Sequence, residues 1–416
     1  KRQKDLPPEQ ANSENPDVSG NSLFIEDLEE YYRQAKQLFD TDENFANLAR
    51  QYVVKLQSGQ ADVLKKWKLF RDISWQHCKR VYEKLGTLLT EQDIRGESAY
   101  NDDLPEVIKA LEEKGLLTES EGAKCIFLDE FKDKDGNALP VIVQKSDGGY
   151  LYATTDLAAI RYRVQELKAD RILYVTDSRQ SLHFQQVFAV ARKAGFAPEG
   201  VRLEHIAFGM MLGPDGKPFK TREGGTVKLM DLLDEAEQRA YKLVCEKSPH
   251  LPEDEKRRIA HVVGIGAVKY ADLSQNRTSD YVFSFDKMLS LEGNTAPYMQ
   301  YAYARIRSIF RKNKSDKNDE QITESIIIDH PAERTLVLKL LQFAEAIESA
   351  TSDYFPHLLC NYLYDLAGAF TTFYESCPVL KSSEPIRSSR LQLCQLTART
   401  IRTGLGLLGI ETVEQM

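Results

Sequence analysis

Arg171-Ile-Leu-Tyr-Val-Thr-Asp177, then Ser178-Arg179-Gln180, then Ser181-Leu-His-Phe-Gln-Gln-Val-Phe-Ala-Val-Ala-Arg-Lys-Ala194, is the stretch that decides how this chain folds. Its first run is apolar and rich in β-formers, and it is too short for a helix, so it predicts a buried strand built on Ile172, Leu173, Tyr174 and Val175. Residues Ser181–Ala194 carry apolar side chains at helical spacing, and Leu203–Phe208 reads as another strand. Strand, helix and strand in that order imply a parallel, doubly wound sheet. Only about half of such a sheet is encoded here.

Working upstream, Cys125–Phe131, Leu139–Lys145 and Gly149–Thr154 are short β-rich runs separated by Asp135-Gly136 and Asp147-Gly148. Asp-Gly between apolar runs is a hairpin signature, so a small antiparallel meander is expected. Asp156 is then expected to cap a helix through Leu167. Further upstream, Ser22 to about Ser120 is helical in pattern, with Gly59 as a C-cap and a long helix carrying Val63, Trp67, Phe70 and Trp75 up to Leu85–Gly86. Downstream, Val227 to Met416 is almost wholly helical, without repeats.

The 416 residues call for two or three domains, and 42% hydrophobic with 28% charged is the balance of a globular protein. Disordered, collagen-like and disulfide-stapled classes are thereby excluded. Cys78, Cys125, Cys245, Cys360, Cys377 and Cys394 form no Cys-x-x-Cys pair and read as buried thiols of a reducing compartment. No uninterrupted apolar run is long enough to span a membrane. The chain opens at Lys1 without a signal-peptide pattern. Across residues 1–22 the only apolar side chains are Leu6, Ala11 and Val18 among several prolines, which reads as a flexible linker. A fragment of a longer cytoplasmic protein is expected.

In open α/β sheets ligands bind beyond the carboxyl ends of the strands, and three segments fall there. In Thr176–His183, Gln180 both donates and accepts, and His183 sits in the first helical turn. That segment also reads as a plain turn with a capped helix. Between Gly213 and Gly225, four glycines surround Lys217, Lys220 and Arg222, a phosphate clamp or else a solvated hairpin. It is not a Walker A loop. Tyr152 and Asp156 stand four apart, and a carboxylate there suits a guanidinium; alternatively Asp156 is only a cap and Tyr152 core. No hydrolase constellation stands out.

The chain is acidic overall, with 55 basic against 63 acidic residues, so nucleic-acid binding has to be local. Arg305, Arg307, Arg311, Lys312, Lys314 and Lys317 follow directly on Tyr298, Tyr301 and Tyr303, and Arg387, Arg390, Arg399 and Arg402 form a second run. Aromatics beside a basic strip suit stacking on unpaired RNA bases; a solvated face over core tyrosines is the alternative.

Asp147-Gly-Gly-Tyr-Leu-Tyr-Ala-Thr-Thr-Asp-Leu-Ala-Ala159, Asp177-Ser-Arg-Gln-Ser-Leu-His183, Phe208-Gly-Met-Met-Leu-Gly213, Lys217-Pro-Phe-Lys-Thr-Arg222, Gly293-Asn-Thr-Ala-Pro-Tyr-Met-Gln-Tyr301 and the ending Gly404-Leu-Gly-Leu-Leu-Gly-Ile-Glu-Thr-Val-Glu-Gln-Met416 together resemble the bacterial arginyl-tRNA synthetases. The resemblance runs in order from about Leu23 to the last residue. It implies an α/β fold followed by an all-α domain: the second half of a Rossmann-like class I catalytic domain with a helical insertion, then a DALR-type anticodon-binding bundle. The implied domains are a linker over 1–22, a helical catalytic part over 23–120, and a Rossmann-like half with hairpin insertion and phosphate loop over 121–230. A helical connector over 231–290 and the anticodon-binding domain over 291–416 complete the set.

The resemblance also implies an enzyme that forms arginyl-adenylate from ATP and arginine and passes the arginyl group to a tRNA ribose. Tyr152, Asp156 and Gln180 would line the arginine pocket, His183 would lie near ATP, and Met210 and Met211 would present backbone to adenine. Lys217 would join the ATP site, Lys220 and Arg222 would act on the phosphates, and Tyr298, Tyr301 and Met416 would touch the anticodon loop. The implied partners are tRNA, arginine and ATP, with Mg2+ accompanying ATP, no protein-bound metal and a monomeric state. Two features depart from the class pattern: Pro218-Phe-Lys-Thr-Arg222 stands where Lys-Met-Ser-Lys-Ser is usual, and no His-Ile-Gly-His motif occurs. The isolated chain is therefore expected to be inactive. A non-catalytic RNA-binding or regulatory paralogue is the competing reading, and a cysteinyl-type synthetase fails for want of zinc-ligand cysteines.

Overall fold

The computed structural model describes residues 28–57, 59–213, 215–217, 228–312 and 325–416. The linker expected over 1–22, and Lys220, Arg222, Lys314 and Lys317, lie outside the described residues. The chain divides into two compact units, residues 1–83 with 88–91, and 84–87 with 92–416.

The first unit holds α1 (Leu28–Thr41), α2 (Glu43–Gln57) and most of α3 (Ala61–Leu85). Asp42 caps α2, its Oδ1 accepting from the amides of Asn44 at 2.9 Å and Phe45 at 3.2 Å. Gly59, at φ +78°, ends α2 as expected, and Gly86 at φ +64° ends α3 in the same left-handed region.

In the second unit α4 (Leu104–Glu113) precedes an antiparallel sheet of β1 (Thr118–Ser120), β2 (Ala123–Lys132) and β3 (Ala138–Gln144), ordered β1-β2-β3. The meander is present, but its third strand is β1 rather than Gly149–Thr154. A two-residue turn joins β1 to β2, with Glu121 at φ +51° and Gly122 at φ +75°, a geometry that matches strand twist. Tyr150 makes a single bridge to Gln144, and Tyr152 already opens α5 (Tyr152–Gln165). The Thr154 hydroxyl donates to the Val143 carbonyl, which pins the first turn of α5 to β3. Leu151 is the N-cap, so Asp156 lies inside the helix and does not cap it. Lys168, at φ +55°, has already left the helix, which stops at Gln165 and not at Leu167.

The decisive stretch folds as read. β4 (Arg171–Asp177) leads through a 3-10 turn at Ser178–Gln180 into α6 (Ser181–Lys193), and β5 (Arg202–Phe208) lies parallel to β4 in register from Arg171↔Arg202 to Asp177↔Phe208. Ile172 and Tyr174 pack with Leu157 and Ile160 of α5 and with Val187 and Val190 of α6. The strand is buried on that face only, however; Leu173 and Val175 are exposed, and no helix among the described residues covers them. A parallel sheet is normally covered on both faces.

Among the described residues, the rest is helical apart from one short parallel pair. β6 (Met211–Leu212) pairs with β7 (Tyr281–Val282), on either side of α7 (Leu229–Lys247) and α8 (Glu253–Leu273). Gly264 of α8 lies where the helices touch: a Cβ there would meet the Glu237 Cα at 2.8 Å and the Ala236 carbonyl oxygen at 2.9 Å. Gly264→Ala is expected to destabilise the protein by about 1–3 kcal/mol through overpacking, read as a lower urea midpoint; an unchanged midpoint would contradict this packing.

After α9 (Phe285–Met288), the helices α10 (Ala296–Lys312), α11 (Pro331–Leu341), α12 (Phe343–Ser352), α13 (Pro356–Ser376) and α14 (Ile386–Leu407) enclose a core including Met299, Ile306, Leu336, Leu363, Phe370 and Leu393. Cys125, Cys360, Cys377 and Cys394 are buried, whereas Cys78 is exposed and Cys245 half-buried, so the reading of all six as buried thiols is corrected. Among the described residues no helix is long and apolar enough to cross a membrane.

Candidate active site

Two helix starts face one another at the carboxyl end of β4. The first turns of α5 present Tyr152, Thr155 and Asp156, and the junction into α6 presents Gln180, His183 and Phe184. Residues three and four apart share a helix face, so each start offers a matching triad. Together with Glu97 they line a cavity of about 460 Å³. Tyr152 and Asp156 thus converge by helical spacing, not across a strand-to-helix transition.

Asp156 is the centre of this cavity's charge. Its Oδ2 lies 2.6 Å from Nε2 of His183, and both side chains keep partial access to solvent. His183 is therefore in the same cavity as Tyr152 and Gln180 and against the carboxylate. Behind it, Phe184 packs on Tyr174 with ring centroids 4.8 Å apart. Burial pushes the Tyr174 phenol up to about 12, against the opposing pull of Arg163, which donates to its hydroxyl at 2.8 Å. At the turn itself Asp177 accepts both the Arg179 amide and its guanidinium; those bonds hold its carboxyl below the usual range.

Glu97 is the residue that sequence reasoning missed. It opens the 3-10 segment Glu97–Asp103, far from both helices in the chain. The Arg95 guanidinium lies 3.4 Å over the Tyr162 ring and 5.0 Å from that of Tyr100, which fastens this segment to α5. Two carboxylates, a phenol and an amide on one concave surface offer acceptors that suit a cation with several N–H donors, as a guanidinium has.

The second group of candidate residues follows β5. The Gly209 amide donates to the Arg277 carbonyl at 2.8 Å, and the Met210 amide to Asp280 Oδ1 at 2.6 Å. The Met210 carbonyl accepts from the Tyr281 amide at 3.1 Å. The Met210 backbone is thus engaged, and by strand alternation Met211 is the member of the pair whose peptide groups face the other edge. Lys217 is exposed in a turn closed by the Gly213 amide on the Lys217 carbonyl at 2.7 Å.

In the helical domain the basic strip divides. Tyr298 is half-buried, 5.7 Å from the Tyr364 ring, and Tyr301, one turn on, is 41% exposed. Tyr303 points inward, its hydroxyl on Glu414, which also holds Arg307 at 2.7 Å. Arg305 lies over the Tyr374 ring, and Arg311 donates to the Glu414 carbonyl. Arg399 and Arg402, with Arg307, Tyr303 and Glu414, line a cavity of about 940 Å³. Arg390 is no surface cation: it is buried and bonded to the fully buried Glu333 at 2.7 Å. Met416 is half-buried and packs on the cluster of α7 and α8.

Comparison with known proteins divides the chain between two family models. Residues 10–285 match the family model for tRNA synthetases class I (R), catalytic domain, and residues 299–416 match the DALR anticodon binding domain. An arginine–tRNA ligase from Hahella chejuensis is 61% identical over 399 residues, covering 95% of this chain and 68% of that protein. Among solved structures, the arginyl-tRNA synthetase of Plasmodium falciparum aligns with a TM-score of 0.77 at 32% identity, covering 92% of this chain and 64% of that one. That of Thermus thermophilus aligns at 0.75 and 25% identity, covering 94% and 71%. The chain thus spans about two thirds of the length of these relatives.

Proposed function

The chain belongs to the class I arginyl-tRNA synthetases, the arginine–tRNA ligases, and from that premise we propose how its residues divide the reaction between arginine, ATP and tRNA. Glu97 and Asp156 receive the arginine guanidinium, with Tyr152 and Gln180 walling its stem and bonding its remaining donors. His183 orients Asp156. The observation that carries this reading is the convergence of two carboxylates, a phenol and an amide on one cavity beyond β4.

Held there, arginine directs its carboxylate at the α-phosphorus of ATP, whose adenine meets the backbone at Met211 beside Met210. The new bond is a carboxyl–phosphate anhydride, and pyrophosphate leaves. Lys217, Lys220 and Arg222 offset the charge on the departing phosphates. A ribose hydroxyl at the tRNA 3′ end then attacks the arginyl carbonyl and AMP leaves. Most of the rate comes from positioning and phosphate electrostatics, since no group here needs to shuttle protons at large driving force. Magnesium accompanies ATP as its complex.

On the helical domain, Tyr298, Tyr301 and Met416 meet the anticodon loop, and Arg399 and Arg402 meet its backbone. Stacking a base on an aromatic ring contributes about 1–3 kcal/mol, so Tyr301→Ala is expected to raise the KM for tRNA by roughly tenfold or more, leaving the KM for arginine unchanged. An unchanged tRNA KM would remove Tyr301 from the interface.

Charging of tRNA with radiolabelled arginine by the full-length gene product tests the reading as a whole. We expect arginyl-tRNA from that product, and no adenylate from the 416-residue chain by itself, which carries no His-Ile-Gly-His motif. Charging with another amino acid would overturn the pocket assignment, and adenylate from the 416 residues alone would overturn the division of the ATP site.

A further inference from the structure

Arg277 stands at the junction of the two matched domains, in the segment between α8 and β7. Its Nη1 donates to the Ala207 carbonyl at 2.5 Å, its Nε to the Tyr354 carbonyl at 2.8 Å and its Nη2 to the Asp353 carbonyl at 3.2 Å. Ala207 belongs to β5, immediately before the Phe208–Leu212 segment. Asp353 and Tyr354 form the turn between α12 and α13, inside the anticodon-binding match. A planar guanidinium offers its donors in a fixed fork, so one side chain sets the distance between the two domains' backbones.

Each end of this strut is independently fastened. The Arg277 carbonyl accepts the Gly209 amide, Asp280 accepts that of Met210, and β7 pairs with β6, so residues 277–282 template residues 209–212 along their length. On the other side Tyr354 has φ +57°, a conformation unfavourable for a bulky side chain that surroundings must impose. Its hydroxyl donates to Glu204 at 2.5 Å, Glu204 also holds Arg171 at 2.6 Å, and the Arg171 guanidinium lies 4.7 Å from the Tyr354 ring. The Phe355 ring lies 4.9 Å from Arg277 itself. This turn of the helical domain is thereby gripped by β4 and β5, at the strand that leads into the Phe208–Leu212 segment.

We propose that Arg277 is a positioning residue through which the anticodon-binding domain sets the Phe208–Leu212 segment for ATP. It touches neither ATP nor tRNA. Because it acts on the segment assigned above to adenine, it rests on that reading. A shift of the 353–354 turn on RNA binding moves the Ala207 carbonyl through the guanidinium fork.

Pyrophosphate exchange by the full-length gene product, with tRNA saturating, tests this. Arg277→Lys keeps the charge but not the fork, and Tyr354→Phe removes only the hydroxyl on Glu204. Both are expected to raise the KM for ATP, the first by about tenfold, while the KM for arginine stays within twofold and melting is unchanged. Gly209→Ala separates the two claims: its Cβ would lie 2.6 Å from the Ser279 backbone and displace the nucleotide segment directly. If Gly209→Ala raises the ATP KM but Arg277→Lys and Tyr354→Phe do not, the coupling is refuted. If Gly209→Ala also leaves it unchanged, the adenine assignment itself fails. A uniform fall in every kinetic constant together with melting temperature would reduce Arg277 to a structural residue.

Discussion

Replacing Asp156 by Asn is expected to raise the KM for arginine by roughly 30-fold or more while the KM for ATP stays put. Asn fills the same volume and still bonds His183, so the fold is unaffected. What is lost, on the proposed assignment, is the negative charge that would offset the guanidinium inside a partly enclosed cavity. Truncating one partner of a hydrogen-bonded charge pair costs about 2–5 kcal/mol, and each 1.4 kcal/mol is about tenfold. Glu97→Gln is expected to act in the same direction and less strongly, since Asp156 then carries the guanidinium alone. Steady-state exchange rates over a range of arginine concentrations read both. An arginine KM within threefold of the parent in Asp156→Asn would move the guanidinium elsewhere.

The second large effect lies in the helical domain. Glu333 is fully buried and accepts from the amides of Asp329 at 2.7 Å and His330 at 2.8 Å and from Arg390 at 2.7 Å. It therefore caps α11 and neutralises a buried guanidinium at once. Glu333→Ala leaves Arg390 buried and unpaired, with an expected cost of about 3–5 kcal/mol. Replacing both residues by apolar ones is expected to recover much of that. Burial alone would raise the Glu333 pKa, but Arg390 and the two amides outweigh it and hold the carboxyl below its ordinary 4.5. A carboxyl with a lowered folded value stabilises above its unfolded pKa and loses that contribution as pH falls through the folded one. The parent should thus lose helical-domain stability below about pH 4.5, and Glu333→Ala should show a shallower loss over the same range. Urea unfolding followed by circular dichroism measures both; equal midpoints for parent and variant would contradict the role of this pair.

What the chain discloses before folding divides by the range of the interactions involved. β4, α6 and β5 are legible because strand and helix periods are local, and Gly59 is legible as a cap because a left-handed residue is needed there. The start of α5 is not. Asp156 is a good capping residue in isolation, and the long-range bond from Thr154 to Val143 is what starts the helix five residues earlier. Glu97 is invisible for the same reason: an acid in a short irregular segment acquires meaning only when Arg95 packs that segment onto α5. Arg390 reads as a solvated cation among others, and only Glu333, 57 residues away, reveals it as core. Tyr152, Asp156, Gln180 and His183 are all placed beyond the strands' carboxyl ends by the sequence, but only the fold shows that two helix starts bring them into one cavity.

The central claim is that this pocket reads a guanidinium. Pyrophosphate exchange by the full-length gene product, with tRNA present, should therefore be run with each of the twenty amino acids and with citrulline, which keeps the shape of arginine without its charge. Exchange with arginine, none above background with lysine or citrulline, and loss of the arginine signal in Asp156→Asn are the predicted results. Citrulline supporting exchange as well as arginine does, or another amino acid replacing it, would contradict the account.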